Sequence, residues 1–467
     1  MTGELYHVLA LVLIVGFLGG IRLMNSPRTA VGGNLLGALC MLAAVVLTLV
    51  KYGLIGRWLL GAALAVGVVI GAVVALKVAM VQMPQLVAVL NGLGGAASAI
   101  VAVVVLLGQA AALNLFNRLS CGLALAIGTV TLSGSMVAAG KLAGWVRQKP
   151  VVLAGRAAVT VGLLAATVGL GLAAALAPSG AAAAISLAAV LAAALFGLVM
   201  TIRVGGGDMP ITISLLNSWS GLAAAVAGFA IADPLLVAVG GVVGAAGLIL
   251  TQSMCRGMNR SLVEVLSGRT TVISAAPADG DADRPAAPEA STAMRQQEPA
   301  EMGPVLRAAK RAVIVPGYGM ALAQAQQQVK TLMDTLESVG CEVDFAIHPV
   351  AGRMPGHMNV LLAEVEVPYE KLWELDAAND AFAQTDVVIV VGANDVVNPA
   401  AMSAEGTPIY GMPILRVTEA AKVIVCNLDT APGYAGVENP LYRHPKTTLL
   451  LGDASETVAA LAACVSQ

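Results

Sequence analysis

The residues best suited to chemistry form a glycine-rich turn late in the chain, PGYGMALA at residues 316–323. An apolar run, Ala312–Val315, precedes the turn, and a helical pattern follows it. Gly317 permits a tight turn, Gly319 lets the backbone approach a pyrophosphate, and Ala323 permits close packing of helix on strand. The helix that follows would offer free N–H groups to phosphates. A purely structural turn is the alternative, but the strand-turn-helix context favours a dinucleotide site.

Five apolar runs predict the strands of a compact α/β unit over residues 304–467, with helical patterns between them. They are Ala312–Val315, Val343–Ile347, Val387–Val391, Val423–Cys426 and Thr448–Leu451. We expect a Rossmann-like parallel sheet covered on both faces. Polar loops rich in Gly and Pro, at 348–360, 392–399, 411–413 and 433–441, follow strand ends, where open sheets bind ligands.

The remainder of the chain has the composition of a membrane protein. Even over the whole chain, hydrophobic residues make up 58%, charged residues 12%, and the mean hydropathy is +0.84, far from the balance of a soluble globular protein. About nine apolar segments are long enough to span a bilayer. They lie near 5–23, 31–50, 57–76, 84–108, 119–140, 157–177, 181–201, 209–232 and 234–254. Residues 1–265 are therefore predicted to form a polytopic α-helical membrane domain.

Loop charge predicts the orientation of that domain. With nine spans, one side carries Arg22, Arg28, Lys77, Lys141, Arg147, Lys149, Arg156, Arg203, Arg256, Arg260 and Arg269. The opposite side carries Lys51, Arg57 and Arg118. The positive-inside rule then puts the N-terminus outside and the C-terminal domain in the cytoplasm. An even number of spans would put both ends on one side and would require one apolar segment that does not span.

Residues 266–303 are rich in Ala, Pro, Asp and Glu and are predicted to be a flexible linker between the two domains. The formal net charge is −2 and the pI is about 6.1. No basic stripe is present, which argues against nucleic acid as a partner. The six cysteines include no CxxC pair, and we expect free thiols and no metal site.

Polar residues are rare in the apolar segments. Asn91, Ser135 and Asn217 lie at or near the middle of spans, and Asp208 opens the eighth. Unpaired polar groups are costly in hydrocarbon, so these side chains should face the bundle interior, either as hydrogen bonds between helices or as a path for ions or protons. Small residues such as Gly94 and Ser98, one turn apart, predict tight packing between helices.

The long motifs GYGMALAQAQ, HPVAGRMPGHMNVLLAE, GANDVVNPAA and GYAGVENPL resemble those of the β subunits of proton-translocating nicotinamide nucleotide transhydrogenases, and the resemblance covers both domains. It implies hydride exchange between NAD(H) on a separate α subunit and NADP(H) on the C-terminal domain, coupled to proton passage through the membrane domain. It also implies a dimer of the αβ unit in the inner (plasma) membrane. Because the two nicotinamides exchange hydride directly, no catalytic side chain or metal is required.

The resemblance also implies roles for individual residues. Gly317, Tyr318, Gly319 and Ala323 would line the pyrophosphate of a nucleotide held in the reverse of the usual Rossmann orientation. Arg353 would contact phosphate or ribose, Asn394 and Asp395 would lie near the nicotinamide and a coupling switch, and the loop from Gly433 and Tyr434 to Asn439 would form a lid. Ser135, Asp208 and Asn217 would belong to the proton path or its gate. His348 and His357 are expected to make structural hydrogen bonds.

Two departures from the family pattern affect the proton path and the choice of cofactor. Asn91 stands where family members carry a titratable histidine, so a proton would use water, Asp208 or a group of the partner subunit. Asn427, Leu428 and Asp429 stand where a Lys-Arg-Ser run binds the 2′-phosphate of NADP(H). A carboxylate repels phosphate and accepts from a ribose hydroxyl. Either the domain takes NAD(H), or Arg443 and Lys446 replace the missing cations.

The same two domains would also suit a protein of another functional class. In a nucleotide-gated membrane channel or sensor, the C-terminal domain would bind cofactor without any redox step. A membrane scaffold with a degenerate nucleotide fold is a third possibility, which the intact loops disfavour. Hydride exchange between added nucleotides distinguishes the enzyme from both.

Overall fold

A computed structural model describes residues 3–54, 56–79, 82–109, 113–146, 156–178, 180–205, 208–258, 261–267, 294–353 and 356–466. The chain divides into two compact units. One contains Met1–Val204 and Thr212–Thr251, and the other contains Gly205–Ile211 and Gln252–Gln467.

Nine helices in the described part of the chain are long and apolar enough to cross a bilayer. They are α1 Gly3–Met24, α2 Pro27–Lys51, α3 Trp58–Lys77, α4 Met83–Gln109, α5 Leu115–Leu142, α6 Arg156–Leu176, α7 Ala182–Ile202, α8 Met209–Ala230 and α9 Pro234–Gly257. The shortest, α3, has 20 residues, and at about 1.5 Å per residue it is about 30 Å long, the thickness of the hydrocarbon core. The predicted membrane domain of about nine spans is confirmed.

Small residues bring the membrane helices into close contact. A Cβ atom added at Gly95 of α4 would lie 2.6 Å from the carbonyl oxygen of Gly128 on α5, and one added at Gly122 would lie 2.2 Å from that of Gly171 on α6. The predicted packing of small residues is confirmed, but its position differs. A Cβ at Gly94 would meet only the Cβ of Ser220, at an ordinary 3.7 Å.

Buried polar bonds join helix ends in the membrane unit. The hydroxyl of Tyr6 on α1 donates to Asp233 Oδ2 at 2.8 Å, and Asp233 Oδ1 accepts from the N–H groups of Leu235 and Leu236 at the start of α9. Both side chains are buried. This bond fixes the first helix of the chain to the turn between the last two membrane helices.

Lys141 is among the cations that the loop-charge prediction assigns to loops, but the structure places it in a helix. It lies in the last turn of α5, is buried, and its Nζ donates to the carbonyl oxygens of Ile202 and Val204, at 2.6 and 2.7 Å. Since Ile202 is the last residue of α7 and Val204 lies two residues beyond it, Lys141 caps the end of a neighbouring helix. The predicted loop cations Arg147, Lys149, Arg260 and Arg269 lie outside the described residues.

The C-terminal unit is an α/β fold with one parallel sheet. Its elements are α10 Leu262–Ser267, α11 Gly303–Ala308, β1 Arg311–Pro316, α12 Tyr318–Leu322, α13 Gln326–Ser338, β2 Glu342–Ala346, α14 His357–Glu364, β3 Leu372–Trp373, α15 Leu375–Ala381, β4 Val387–Val391, α16 Ala400–Ser403, β5 Lys422–Asn427, β6 Thr447–Leu451 and α17 Ala454–Ser466. The strand order is β3-β2-β1-β4-β5-β6, and every strand pair is parallel. This is the order of the dinucleotide-binding fold, so the Rossmann-like prediction is confirmed.

The five predicted strands are present, and the sheet gains one further strand at its edge, β3, of two residues. Every residue of β4 is buried, as expected of a central strand with both faces covered. Val313, Val388, Val390 and Val425 belong to one buried cluster. Each such side chain contributes about 1.5–3 kcal/mol to stability, so the sheet holds the loops at its carboxyl edge in place.

The packed part of this unit begins before residue 304. Gln296 forms an isolated parallel bridge with Leu449, and the side chain of Met302 is buried. The unit therefore includes the end of the segment that the sequence assigns to the linker, 266–303. Residues 268–293 of that segment lie outside the described residues.

Candidate functional site

The strand order places a crevice between the carboxyl ends of β1 and β4. The chain leaves β1 toward β2 and β3 on one side, whereas β4 continues to β5 and β6 on the other. Ligands of open α/β sheets bind at such a switch point. The turn after β1, from Gly317 to Gly319, meets the turn after β4 here, and the Gly319 N–H donates to the carbonyl oxygen of Gly392 at 2.8 Å.

The two glycines of the β1 turn are explained by contact between these turns. A Cβ at Gly317 would lie 2.3 Å from the carbonyl oxygen of Gly392 and 2.4 Å from the Cα of Ala393, and one at Gly319 would lie 2.7 Å from the Cα of Gly392. The structure thus gives a packing reason where the sequence suggested room for a pyrophosphate.

The helix after the turn also differs from the expectation. α12 has five residues and ends at Leu322, and Gln324, two residues beyond its end, has a φ of +51°. The N–H of Gly319 is already bonded to Gly392, and that of Met320 donates to the Gly317 carbonyl oxygen at 3.1 Å. These two groups are therefore not free for phosphate.

A buried cation lies beside the turn. The guanidinium carbon of Arg353 is 4.5 Å from the ring centroid of Tyr318 and 4.2 Å from that of Tyr434, and its Nη2 donates to the Tyr434 hydroxyl. Burial lowers the pKa of Arg353, but arginine titrates so far above neutrality that the charge remains. The structure thus joins three predicted site residues that come from separate loops.

His357 and His348 are held as neutral rings. The backbone N–H of Arg353 donates to His357 Nδ1 at 3.0 Å, so the neutral ring carries its proton on Nε2. Burial, followed by the Arg353 charge, lowers the pKa of His357. His348 Nε2 bonds to the carbonyl oxygen of Pro413 at 2.8 Å, and burial lowers its pKa to about 4. These bonds support the structural interpretation of both residues.

The loop after β4 is bonded to the segment that was predicted to be a lid. Asp395 Oδ2 accepts from the Ala435 N–H at 3.1 Å, and Gly433 is so close that a Cβ there would lie 2.5 Å from Asp395 Oδ1. Asn394 Nδ2 donates to the carbonyl oxygen of Ala431 at 3.0 Å, and Asn439 Nδ2 donates to Asn394 Oδ1 at the same distance. Burial raises the pKa of Asp395, opposed by the Ala435 N–H.

The end of β5 carries Asn427, Leu428 and Asp429. The side chain of Asn427 is buried, and its Nδ2 donates to the Ala393 carbonyl oxygen and to the Tyr442 hydroxyl. Asp429 is exposed, and its Oδ1 accepts from the Ala431 N–H at 2.9 Å. The three residues therefore lie at the carboxyl edge of the sheet, but only Leu428 and Asp429 face solvent.

Lys446 lies at the opposite edge. Its backbone carbonyl accepts from Val423 at the start of β5, and its Nζ donates to the carbonyl oxygens of Thr418 and Ala420, at 3.0 and 2.8 Å. A strand rises about 3.3 Å per residue, so the five residues of β6 put about 16 Å between Lys446 and the carboxyl edge. The hypothesis that Lys446 replaces a missing cation is wrong.

The carboxyl edge satisfies a structural test for a polar ligand. Among the described residues, three buried side-chain atoms at this edge have no hydrogen-bond partner: Asn427 Oδ1, Asp395 Oδ1 and His357 Nε2. Buried polar groups are paired in the great majority of cases, so these atoms mark places for ligand donors and acceptors. Together with the Arg353 charge, they fit the hydroxyl, amide and phosphate groups of a dinucleotide.

In the membrane unit, three of the predicted path residues lie on adjacent helices. Asn91 on α4 is buried and its Nδ2 donates to the Ile213 carbonyl oxygen of α8 at 3.4 Å. Ser135 on α5 is fully buried, its Cβ would lie 3.2 Å from a Cβ added at Gly92, and its Oγ has no partner among the described residues. Asn217 lies one turn beyond Ile213 on α8 and is half-buried. Asp208 belongs to the other unit and is buried just before α8 begins.

The family described as NAD(P) transhydrogenase beta subunit matches residues 6–464. The chain belongs to this family. It is 41% identical over 463 residues to the NAD(P) transhydrogenase subunit beta of Rhodospirillum rubrum, with 98% of each chain covered, and a sequence from a designated strain of that organism gives the same values.

Two residues that order the site in this family member, Tyr442 and Asn398, are not among the predicted site residues. Tyr442 is buried, bonds to Asn427, and has its pKa raised to about 12, chiefly by burial. Asn398 is fully buried and donates to the Glu438 carbonyl oxygen in the predicted lid at 3.2 Å. Asn398 could have been suspected from its place in the GANDVVNP loop, whereas nothing near Tyr442 distinguishes it from a core tyrosine.

Proposed function

We propose that this chain is the β subunit of a proton-translocating transhydrogenase, which exchanges hydride between NAD(H) on an α-subunit partner and NADP(H) on its own C-terminal domain. The observation that carries the proposal is the combination of a dinucleotide-fold switch point and nine apolar helices in a member of the transhydrogenase beta subunit family. The family does not favour a nucleotide-gated channel or sensor.

The nicotinamide rings supply the redox chemistry, and the chain's own residues bind and orient. Arg353 offers the one buried cation of the described carboxyl edge and is assigned to phosphate or ribose. Gly317, Tyr318, Gly319 and Ala323 form the turn beside it, and Asn394 and Asp395 are assigned to the nicotinamide end and the coupling switch.

The predicted lid, Gly433–Asn439 with Tyr434, is tied to the site by Arg353 and Asp395. Binding and release of a nucleotide in the crevice therefore require these two contacts to change. Because both contacts involve charged groups, they are worth about 1.5–3 kcal/mol each, enough to make lid opening a controlled step.

The proton path is assigned to Asn91, Ser135 and Asn217 in the membrane unit, with Asp208 at the start of α8. Orphaned and weakly bonded polar groups among apolar helices are expensive unless they serve water or an ion. Asn91 cannot titrate, so it orients a water, and the proton is carried by water, Asp208 or a group of the partner subunit.

In the cell, we assign the protein to the inner (plasma) membrane as a multi-pass chain with its C-terminal domain in the cytoplasm, assembled as a dimer of the αβ unit. The excess of cations in the loops on one side supports this orientation.

The test is reconstitution of the chain in sealed vesicles with and without an NAD-binding α partner. With the partner, we expect hydride exchange between added NADH and an NADP⁺ analogue together with a change of internal pH. Without it, we expect no exchange. Exchange by this chain alone would contradict the division of sites, and nucleotide binding without any exchange in the presence of partner would support the sensor.

A further inference from the structure

The carboxyl end of β5 presents hydrogen-bond acceptors. Asn427 Nδ2 donates to the carbonyl oxygen of Ala393 at 3.0 Å and to the Tyr442 hydroxyl at 2.9 Å. A carbonyl can only accept, so the amide cannot be reversed, and Oδ1 is the atom left without a partner among the described residues. The side chain is only 8% exposed. A buried acceptor without a partner requires a hydrogen-bond donor, such as a hydroxyl group. A phosphate oxygen is itself an acceptor and cannot satisfy it.

Asp429 adds a fixed negative charge to the same end. Its Oδ1 accepts from the Ala431 N–H, which orients the carboxylate on the loop surface and leaves Oδ2 to accept from a ligand. Asp395 and Asp429 both lie close enough to Tyr442 to raise the pKa of its hydroxyl, after burial. The end of β5 is therefore flanked by two carboxylates.

No cation balances these carboxylates on the loops concerned. The sequence has no Lys or Arg in 317–325 or 392–415, which follow β1 and β4, or in 428–442, the first part of the connection after β5. Arg443, later in that connection, is exposed. Arg416 pairs with Glu419 at 3.2 Å just before β5 begins, and the Lys446 amine is bonded at the amino edge. Arg353 belongs to the loop after β2 and reaches the loop after β5 at Tyr434, where its guanidinium lies between the rings of Tyr318 and Tyr434.

We propose that the β5 end recognises a ribose by its hydroxyl groups, with Asn427 Oδ1 and Asp429 Oδ2 as acceptors, so that the C-terminal domain binds NADH at least as tightly as NADPH. This inference rests on the proposed nucleotide site and revises its ligand, because the residues at the β5 end do not fit the 2′-phosphate of the NADP(H) that the proposed function assigns to this domain. A ribose 2′-hydroxyl donates to a carboxylate, whereas a 2′-phosphate at the same place meets negative charge without a compensating cation.

The first experiment titrates the full-length chain in detergent micelles with NADH and with NADPH, using the fluorescence of the reduced nicotinamide. The expected result is an NADH affinity equal to or higher than that for NADPH. A higher affinity for NADPH overturns this inference and leaves the proposed site standing. Binding of neither nucleotide contradicts the proposed site itself, and the inference with it.

The second experiment uses the double variant Leu428→Arg/Asp429→Ser, which leaves the buried Asn427 intact. It adds a cation and removes the carboxylate, so NADPH affinity should rise by about ten- to a hundredfold, the range of a hydrogen bond to a charged group. NADH affinity should fall. A matched control, Asp334→Ser/Val339→Arg, makes the same change of net charge at exposed positions of α13 and its end and should leave the ratio of the two affinities unchanged.

Two results of this series would overturn the inference. One is an unchanged affinity ratio in the Leu428→Arg/Asp429→Ser variant. The other is a selective loss of NADPH binding in Arg443→Ala, because the exposed Arg443 would then hold the phosphate. Asp429→Asn completes the series, and it should weaken NADH more than NADPH if Asp429 accepts from the ribose.

Discussion

Gly94 and Gly95 are adjacent on α4, yet replacing them with alanine should have opposite effects. At Gly95 the new Cβ would lie 2.6 Å from the Gly128 carbonyl oxygen and 2.8 Å from Thr131 Cβ, and the nearer of these atoms is backbone. At Gly94 it would lie 3.7 Å from Ser220 Cβ, an ordinary contact. The pair therefore separates the effect of helix contact from that of helix propensity.

The magnitude follows from these distances. Carbon and carbonyl oxygen approach to about 3.3 Å at closest, so α4 and α5 must separate by roughly 0.7 Å at Gly95. A gap of that size forfeits a quarter to a half of the local dispersion energy, and overpacking costs about 1–3 kcal/mol. Both variants gain up to about 1 kcal/mol of helix propensity. Since that gain cancels, Gly95→Ala should be less stable than Gly94→Ala by about 1–3 kcal/mol.

The assay is unfolding of the full chain in mixed micelles with increasing sodium dodecyl sulfate, followed by circular dichroism. Gly94→Ala should match or exceed the natural protein, and Gly95→Ala should unfold at a lower detergent fraction. Equal stability of the two variants would refute the assigned contact between α4 and α5. Since Asn91 lies one turn before Gly95, Gly95→Ala should also lower coupled proton movement in vesicles.

Arg353→Lys keeps the charge but loses the planar group between two tyrosine rings, so nucleotide binding in a titration should weaken by about tenfold; unchanged affinity would remove Arg353 from the site. Asn217→Leu, reconstituted with an NAD-binding partner, should lower the vesicle pH signal, whereas Ser220→Ala on the same helix should not; a normal signal would reduce Asn217 to a packing residue. His348 has a folded pKa of about 4, below its unfolded value of about 6.5, so its contribution is complete above pH 6.5 and is lost as pH falls toward 4. That loss is about 3 kcal/mol, and hydrogen exchange of β2 amides should show it in the natural chain and not in His348→Asn.

The fold could be predicted from the sequence because its signals are long and periodic. Predominantly apolar segments of about twenty residues have one common explanation, and short β-branched runs such as Val387–Val391 suit a sheet buried on both faces. The two-residue strand β3 has too few residues to form a pattern. The start of the packed C-terminal unit could not be predicted either, because the bridge at Gln296 depends on a partner, Leu449, far along the chain.

The site could be predicted as a set of loops and not as a set of contacts. Parallel strands bring the ends of β1, β4 and β5 to one edge, so the positions of Gly317, Asn394 and Asp429 follow from topology. The direction of each side chain does not follow from topology. Nothing in the order of residues indicates that Asn427 turns inward to Tyr442. The position of Lys446 at the far edge of the sheet does follow from the sequence, because Lys446 comes just before the predicted strand Thr448–Leu451.

The bond between Tyr6 and Asp233 joins residues 227 positions apart, and this separation sets an order for biosynthesis. A ribosome adds about 5–20 residues per second, so α1 waits roughly 10–45 seconds for its partner to be made. During that time the Tyr6 hydroxyl must be satisfied by water at the membrane surface or by a chaperone. The backbones of Gly20 on α1 and Gly33 on α2 are in close contact, so α1 already packs against α2 during this time. Completion of the last helical hairpin adds the buried bond that joins the first helix to the end of the membrane unit, and a nascent chain that stops before Asp233 lacks it.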